Sequence, residues 1–305
     1  MQPEVQAQLT RPGGRRVEQS GTDVDKLQGA RSGRPPDQPA VNMWEALLVT
    51  DPWLAGAPYE RYVGRWSRLV AREFVPWLSI PPGSAWLDVG CGTGVLAGTV
   101  AELAGPAEVI GVDRSPGFVS HAGAHVVGAS FAVADASALP FHDARFVAAV
   151  AGLVLNFLPD PVSALSEMRR VARHAVGAYV WDYAGDMQML RRFWDAAVAL
   201  DRGAAARDEG VRFPVCGPAP LLGLLGRAGL HQTECRAIDV PTVFRDFDDF
   251  WEPFLGGQGP APAYVAALDE ERRGRLRHRL RAALPYERHG SIRLVARAWA
   301  VRGRT

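Results

Sequence analysis

The chain has 305 residues, 34 basic against 33 acidic side chains, a formal net charge of +1 and 48% hydrophobic residues. That length suits one large α/β domain, or two small ones, with ample sequence for a core, and the hydrophobic share excludes a mainly disordered chain. The charge balance argues against a protein whose main task is coating nucleic acid or acidic membrane. All basic residues but Lys26 are arginine, which reads as a GC-rich coding sequence rather than selection for a forked guanidinium. Cys91, Cys216 and Cys235 are odd in number and widely spaced, so no disulfide framework is expected and a reducing, cytoplasmic compartment is. No run approaches 18 apolar residues and no apolar leader opens the chain, so neither a membrane span nor a secretory signal is expected.

Residues 1–42 are rich in Gly, Pro, Gln and Arg and lack apolar periodicity, which predicts a disordered tail ahead of one domain over 43–305. Tyr62, Trp66, Leu69, Val70 and Phe74 recur at helical spacing and predict an amphipathic helix over 59–78, stopped by Pro81-Pro82-Gly83. Strands are predicted at 85–89, 108–112, 130–134, 146–155 and 176–181, and helices at 95–104, 115–126 and 161–173. This alternation implies a parallel sheet covered on both faces. After Trp181 the rhythm changes. Residues 184–208, 218–229 and most of 245–287 read as helices, and 233–244 as a long strand. At the end, Ile292, Leu294, Ala296, Ala298 and Ala300 alternate with mostly polar residues, which predicts a half-exposed strand at a sheet edge.

The chemistry-bearing segment is Leu87-Asp88-Val89-Gly90-Cys91-Gly92-Thr93-Gly94, where a strand feeds a glycine turn and the turn feeds a helix. Glycine permits the tight turn and lets a ligand approach the backbone, and the helix start offers unpaired N–H groups to an anion. Asp113 ends the next strand, where an acid can accept bonds from ribose hydroxyls. A dinucleotide fingerprint would require a third glycine where Val95 stands. The Asp88 carboxylate would also repel a pyrophosphate but suits an ammonium, which favours S-adenosylmethionine over NAD(P).

On these residues the sequence resembles the class I S-adenosylmethionine-dependent methyltransferases, in particular the small-molecule group similar to the ubiquinone and menaquinone biosynthesis enzymes. The resemblance implies a Rossmann-like, seven-stranded, mostly parallel sheet with an antiparallel last strand, helices on both faces, and helical lid insertions over 183–287. It implies cofactor contacts from Asp88, Gly90, Cys91 (through its backbone), Gly92 and Gly94, and a ribose site at Asp113 beside Arg114. Ala134-Asp135-Ala136, followed by Leu139-Pro140-Phe141, resembles the adenine segment, with the Asp135 carboxylate on the amino group and the Ala136 N–H on a ring nitrogen. Leu153 lies in the segment that resembles the family's post-strand stretch beside the cofactor. Arg65, with Tyr59, Tyr62 and Trp66, falls in a helix that would lie over the cofactor or simply pack.

In-line methyl transfer needs alignment more than a nucleophile, and a base only for a poor acceptor. Asp182 and Tyr183, at the edge where ligands sit in open α/β sheets, are candidates for that base, as is His142. The bland readings beside them are a turn or cap, a packing ring and a loop histidine. Phe193, Trp194, Phe247, Phe250, Trp251 and Phe254 read as a lid over an apolar acceptor or as a second hydrophobic core. His121 and His125 share a helix face without a third ligand, so no metal site is expected. The run Arg272, Arg273, Arg275, Arg277, Arg279 and Arg281 follows Asp269, Glu270 and Glu271 and reads as a solvated helix face. The expected function is methyl transfer to a small molecule; the alternatives are an RNA or other nucleic-acid methyltransferase, and a cofactor-binding protein without transferase activity.

Overall fold

The computed structural model describes residues 65–256 and 259–305. The expected tail, Tyr59, Tyr62 and the side chain of Arg65 lie outside the described residues. The elements in chain order are α1 (Arg65–Trp77), β1 (Ala85–Val89), α2 (Val95–Leu103), β2 (Glu108–Asp113), α3 (Pro116–His125), β3 (Ser130–Val133), β4 (Phe146–Gly152), α4 (Pro161–Val171) and β5 (Ala172–Trp181). There follow α5 (Gln188–Leu200), α6 (Glu209–Arg212), α7 (Pro218–Arg227), β6 (His231–Phe244), α8 (Phe247–Trp251), α9 (Pro260–Ala266), α10 (Glu270–Ala283) and β7 (Ile292–Arg304).

The strands form a seven-stranded sheet in the order β3-β2-β1-β4-β5-β7-β6. β1 to β5 pair in parallel, and β7 pairs antiparallel with both β5 and β6. The Rossmann-like expectation, with the last strand reversed, therefore holds. The edge placement of that strand does not. β7 lies inside the sheet, and β6 is the edge. The alternation itself is real, since Ile292, Leu294, Ala296, Ala298 and Ala300 are all buried. A strand covered on one face alternates whether or not it has two neighbours, so the pattern could not locate the edge.

The boundaries have local causes. Ser115 and Asp160 accept N–H groups at the starts of α3 and α4, each followed by proline at a position where no N–H is missed. α4 passes into β5 at Ala172 with no loop between, so β5 begins four residues before the apolar run that announces it. β4 stops at Gly152 rather than at Leu155, because Leu153 adopts φ +59° and breaks the extended chain. α1 and the turn that follows it pack on the sheet through Trp66, Val70, Phe74 and Leu78, all buried. Trp66 meets Phe244 of β6 edge-on at 5.6 Å, and Phe74 meets Tyr179 of β5 at 5.0 Å. Each such ring contributes about 1.5–3 kcal/mol by leaving water.

Beyond β5 the helices extend the same core. Phe193 stacks on Phe254 at 4.5 Å, Trp251 on Phe247 at 6.3 Å, and Phe250 lies 5.2 Å from Phe244. All six aromatic residues proposed as a lid are buried. They pack on one another, which favours the hydrophobic-core reading over the lid. Four of the six arginines of α10 meet acids: Arg277 and Arg281 meet Asp248, Arg275 meets Glu271 and Arg272 meets Asp269. Among the described residues, no helix is long and apolar enough to cross a membrane.

Candidate functional site

The carboxyl ends of β1, β2, β4 and β5 bring the candidate residues together. The turn after β1 is built from left-handed glycines: Gly90 at φ +71°, Gly92 at +52° and Gly94 at +85°. The first and last are also fixed by packing. A Cβ on Gly90 would lie 2.5 Å from Val154 Cγ2, and one on Gly94 would lie 2.7 Å from Val126 Cγ2. The middle glycine differs, for a Cβ on Gly92 would meet nothing within 4 Å. The turn therefore packs against the protein at both ends and leaves open space at its centre, the arrangement a ligand needs to reach the backbone.

Two carboxylates hold this turn. Asp113 Oδ2 accepts the Gly92 N–H at 3.0 Å, and its Oδ1 accepts the Ser115 N–H at 2.9 Å. The Gly90 and Cys91 N–H groups both donate to the Val112 carbonyl. Asp88 Oδ2 accepts the Ala97 N–H at 2.9 Å, so a strand residue caps α2 where Gly94 has no side chain to do so. Asp88 Oδ1 is buried without a hydrogen-bond partner. Burial pushes the Asp88 carboxyl up to about 7; the Ala97 N–H opposes this and the charge of Asp113 adds to it. Asp113 is also raised, by burial first, against the Ser115 and Gly92 N–H groups and Arg114. Arg114 itself is exposed. The Cys91 thiol is buried, and burial, with Asp88 and Asp113 near, drives it well above the usual thiol range. It stays protonated, which suits a residue contributing its backbone.

The segment after β3 closes one side. The Ala134 N–H donates to the Asp113 carbonyl at 3.1 Å. Asp135 is exposed, and its Oδ1 accepts both the N–H and the hydroxyl of Ser137 at 2.8 and 2.7 Å, which lowers its pKa. Asp135 thus forms a side-chain turn, and no helix follows it. Ala136 is half-buried within that turn.

On the other side stands the segment after β4. Leu153 is buried in its left-handed conformation, and its N–H donates to the Tyr179 carbonyl at 2.8 Å. Such a conformation costs of order 1–3 kcal/mol in a non-glycine residue and persists where the surroundings impose it. Val154 beside it fills the space behind Gly90, a packing role that no sequence signal announces. Phe157, 48% exposed, lies 5.3 Å from Phe213, whose ring is 5.5 Å from Tyr183. These rings come from three separate elements and meet at the carboxyl edge. Phe213 gave no sequence signal, since it lies just past the short α6.

The base candidates fare differently. Asp182 is buried, its Oδ1 accepts the Gly185 N–H at 3.1 Å, and its Oδ2 accepts the Asp186 N–H at 2.9 Å. A Cβ on Gly185 would lie 2.4 Å from Asp182 Oδ2. Asp182 therefore braces a closed turn, which favours its turn or cap reading over the catalytic one. Tyr183 is buried beside Phe213. His142 is exposed on a loop. His121 and His125 stack at 4.2 Å, and among the described residues no group of three His, Cys, Asp or Glu side chains could hold a metal.

Comparison with known proteins agrees with this geometry. Residues 87–176 match the family described as Methyltransferase domain. The chain is 36% identical over 143 residues to a 2-phytyl-1,4-naphtoquinone methyltransferase of Synechococcus elongatus, a match covering 44% of this chain and 60% of that one. It is 34% identical over 194 residues to a 2-methyl-6-phytyl-1,4-hydroquinone methyltransferase of Synechocystis, covering 59% of this chain and 58% of that one. The match thus spans about three fifths of these relatives' length. Among solved structures, the YcgJ protein of Bacillus subtilis superposes with a TM-score of 0.51 at 16% identity, covering 78% of this chain and 98% of that one. Phosphoethanolamine N-methyltransferase 2 of Haemonchus contortus superposes with a TM-score of 0.52 at 16% identity, covering 87% of this chain and 61% of that one. These two likenesses are of fold. From Leu87 to Val176, through the glycine turn, the segment after β3 and the post-β4 segment, the chain matches the methyltransferase domain family.

Proposed function

We propose that this protein is an S-adenosylmethionine-dependent methyltransferase acting on a small-molecule acceptor. One observation carries the reading: the left-handed turn held by Asp88 and Asp113, with open space only at its middle glycine. The residues fit the cofactor. Asp113 has committed one lone pair of each oxygen to a backbone N–H and keeps the others for ribose hydroxyls. Asp88, behind the turn, supplies a field that favours the ammonium of a methionine moiety over a pyrophosphate. Asp135 and the Ala136 N–H take the adenine edge, and Arg65 takes the carboxylate. The cofactor supplies an electrophilic methyl group on a positively charged sulfur.

The chain's own contribution is alignment and exclusion of water, worth up to about 7–11 kcal/mol in favourable cases. Leu153 and Val154 shape the floor between cofactor and acceptor. Phe157, Phe213 and Tyr183 form an apolar wall for the acceptor, in keeping with relatives named for quinone and hydroquinone substrates. In this dry setting an anionic acceptor gains, because its charge and that of the sulfonium cancel as transfer proceeds. We assign 43–305 as one domain, with 183–287 carrying the insertions around the acceptor side. The described cysteines are free, which fits a reducing cytoplasm. Titration calorimetry tests the reading: S-adenosylmethionine and S-adenosylhomocysteine should bind with micromolar or tighter affinity, and NAD(P) should not. A folded protein that binds none of these overturns the proposal.

A further inference from the structure

The turn Asp135–Ala138 hangs between two anchors, and the second lies outside the nucleotide site. At its start, the Ala134 N–H is tied to the Asp113 carbonyl. At its end, Leu139 is tied to α4, about thirty residues later in sequence. The Leu139 N–H donates to Glu167 Oε2 at 2.9 Å, and the Leu139 carbonyl accepts from Arg170 Nη2 at 2.9 Å. Arg170 Nη1 reaches further, to the Phe141 carbonyl at 2.7 Å and to Asp143 Oδ1 at 2.8 Å. The remaining donors of the same guanidinium hold Glu167, Nε to Oε1 at 2.7 Å and Nη2 to Oε2 at 2.8 Å. Finally, the Arg170 carbonyl accepts the Ala144 N–H at 2.9 Å.

All five guanidinium donors are thus in use, and two of the bonds go to backbone carbonyls of one short segment. A surface ion pair between Glu167 and Arg170, three residues apart on a helix, would need none of this. Fixing one residue's backbone costs about 1–2 kcal/mol of entropy, so a four-residue turn held at one end only would have to be ordered by the ligand itself.

From this we infer that Glu167 and Arg170 are positioning residues for the adenine end of the cofactor site, holding the Asp135–Ala138 turn in its binding shape before the ligand arrives. The inference rests on the proposed function above. It assigns to α4 a part in nucleobase recognition without contact to the nucleobase. Lysine cannot substitute for the guanidinium here, because one ammonium cannot reach both carbonyls and both Glu167 oxygens.

The test is calorimetric binding of S-adenosylhomocysteine and of its inosine counterpart, which lacks the adenine amino group, to wild type, Arg170→Met, Arg170→Lys and Glu167→Gln, with thermal unfolding of each. Wild type should prefer the adenine compound. Arg170→Met and Arg170→Lys should both bind S-adenosylhomocysteine at least roughly tenfold more weakly, with the preference for adenine over hypoxanthine narrowed. Should Arg170→Met fail to fold, Glu167→Gln keeps a Leu139 acceptor and should show a smaller shift in the same direction. Unchanged affinity and preference in the variants overturns the inference. So does an equal loss for both compounds that tracks a fall in melting temperature, since that marks general destabilisation. Absence of binding to wild type defeats the functional reading instead, and the two failures are thereby distinguished.

Discussion

Two turns at the carboxyl edge of the sheet use the same device with opposite results. After β1, Asp88 and Asp113 accept backbone N–H groups and hold a glycine turn. After β5, Asp182 accepts the N–H groups of Gly185 and Asp186 and holds another. At Gly92 the space beyond the backbone is open, whereas at Gly185 it is filled by the Asp182 carboxylate itself. A buried acid at a strand end therefore does not mark a functional site. What separates the two is whether the acid closes its turn on itself or leaves room beside it.

Paired substitutions put that contrast to work. The largest effect should come from Asp113→Ala, which removes the brace and the ribose acceptor together and should weaken S-adenosylhomocysteine binding by at least roughly tenfold; unchanged affinity in calorimetry would sink the ribose assignment. Asp182→Ala should instead leave affinity within about twofold and lower stability by about 1–3 kcal/mol in denaturant unfolding, because the bonds from the Gly185 and Asp186 N–H groups to a buried side chain are lost. If that variant were as stable as wild type yet inactive in methyl transfer, a catalytic Asp182 would return. Gly92→Ala should fold with a modest loss of stability, because φ +52° strains an L residue although nothing fills the space, and should weaken cofactor binding; unchanged or higher affinity would show that the open space is not where the ligand lies.

The smallest effect is a slope in pH. Burial raises Asp88 from 3.8 to about 7 and Glu209, which accepts the Trp194 indole N–H, from 4.5 to about 7. Between these values the folded chain holds protons that the unfolded chain has released. The contribution of both groups to stability is then full below about pH 4 and is lost as pH rises towards 7. Lowered acids such as Glu167 and Asp239 act in the opposite sense, so the wild-type curve alone is not diagnostic. The difference between wild type and Asp88→Asn isolates one group: the variant should gain on wild type as pH rises from 5 to 7.5, and parallel melting curves would contradict the assignment.

The first half of the sheet was legible because its strands are short apolar runs between glycine or proline breaks, and because Leu87 to Gly94 carries its meaning within eight residues. Less could be read where function depends on distant pairs. Arg170 meets Leu139 and Phe141 across some thirty residues, and Phe213 reaches Phe157 across more than fifty. Asp182 left both readings open, because a strand-end acid looks the same in sequence whether it faces a ligand or its own turn. The aromatic residues after Phe193 pointed equally to a lid and to a core, since ring content says nothing of which rings face one another.

The direct passage of α4 into β5 bears on how the chain tolerates changes in length. Arg170 stands two residues before Ala172, and Tyr179 and Trp181 follow on the strand. One residue inserted at this junction could not be taken up in a loop. The helix would rotate by about 100°, carrying the guanidinium away from Leu139, or β5 would slip by one position and exchange its two faces, unless the irregular pairing at Ala172–Ala175 widened to hold it. Homologous chains should accordingly vary in length on the exposed loop around His142 and after Trp181, and keep a fixed count between Glu167 and Trp181.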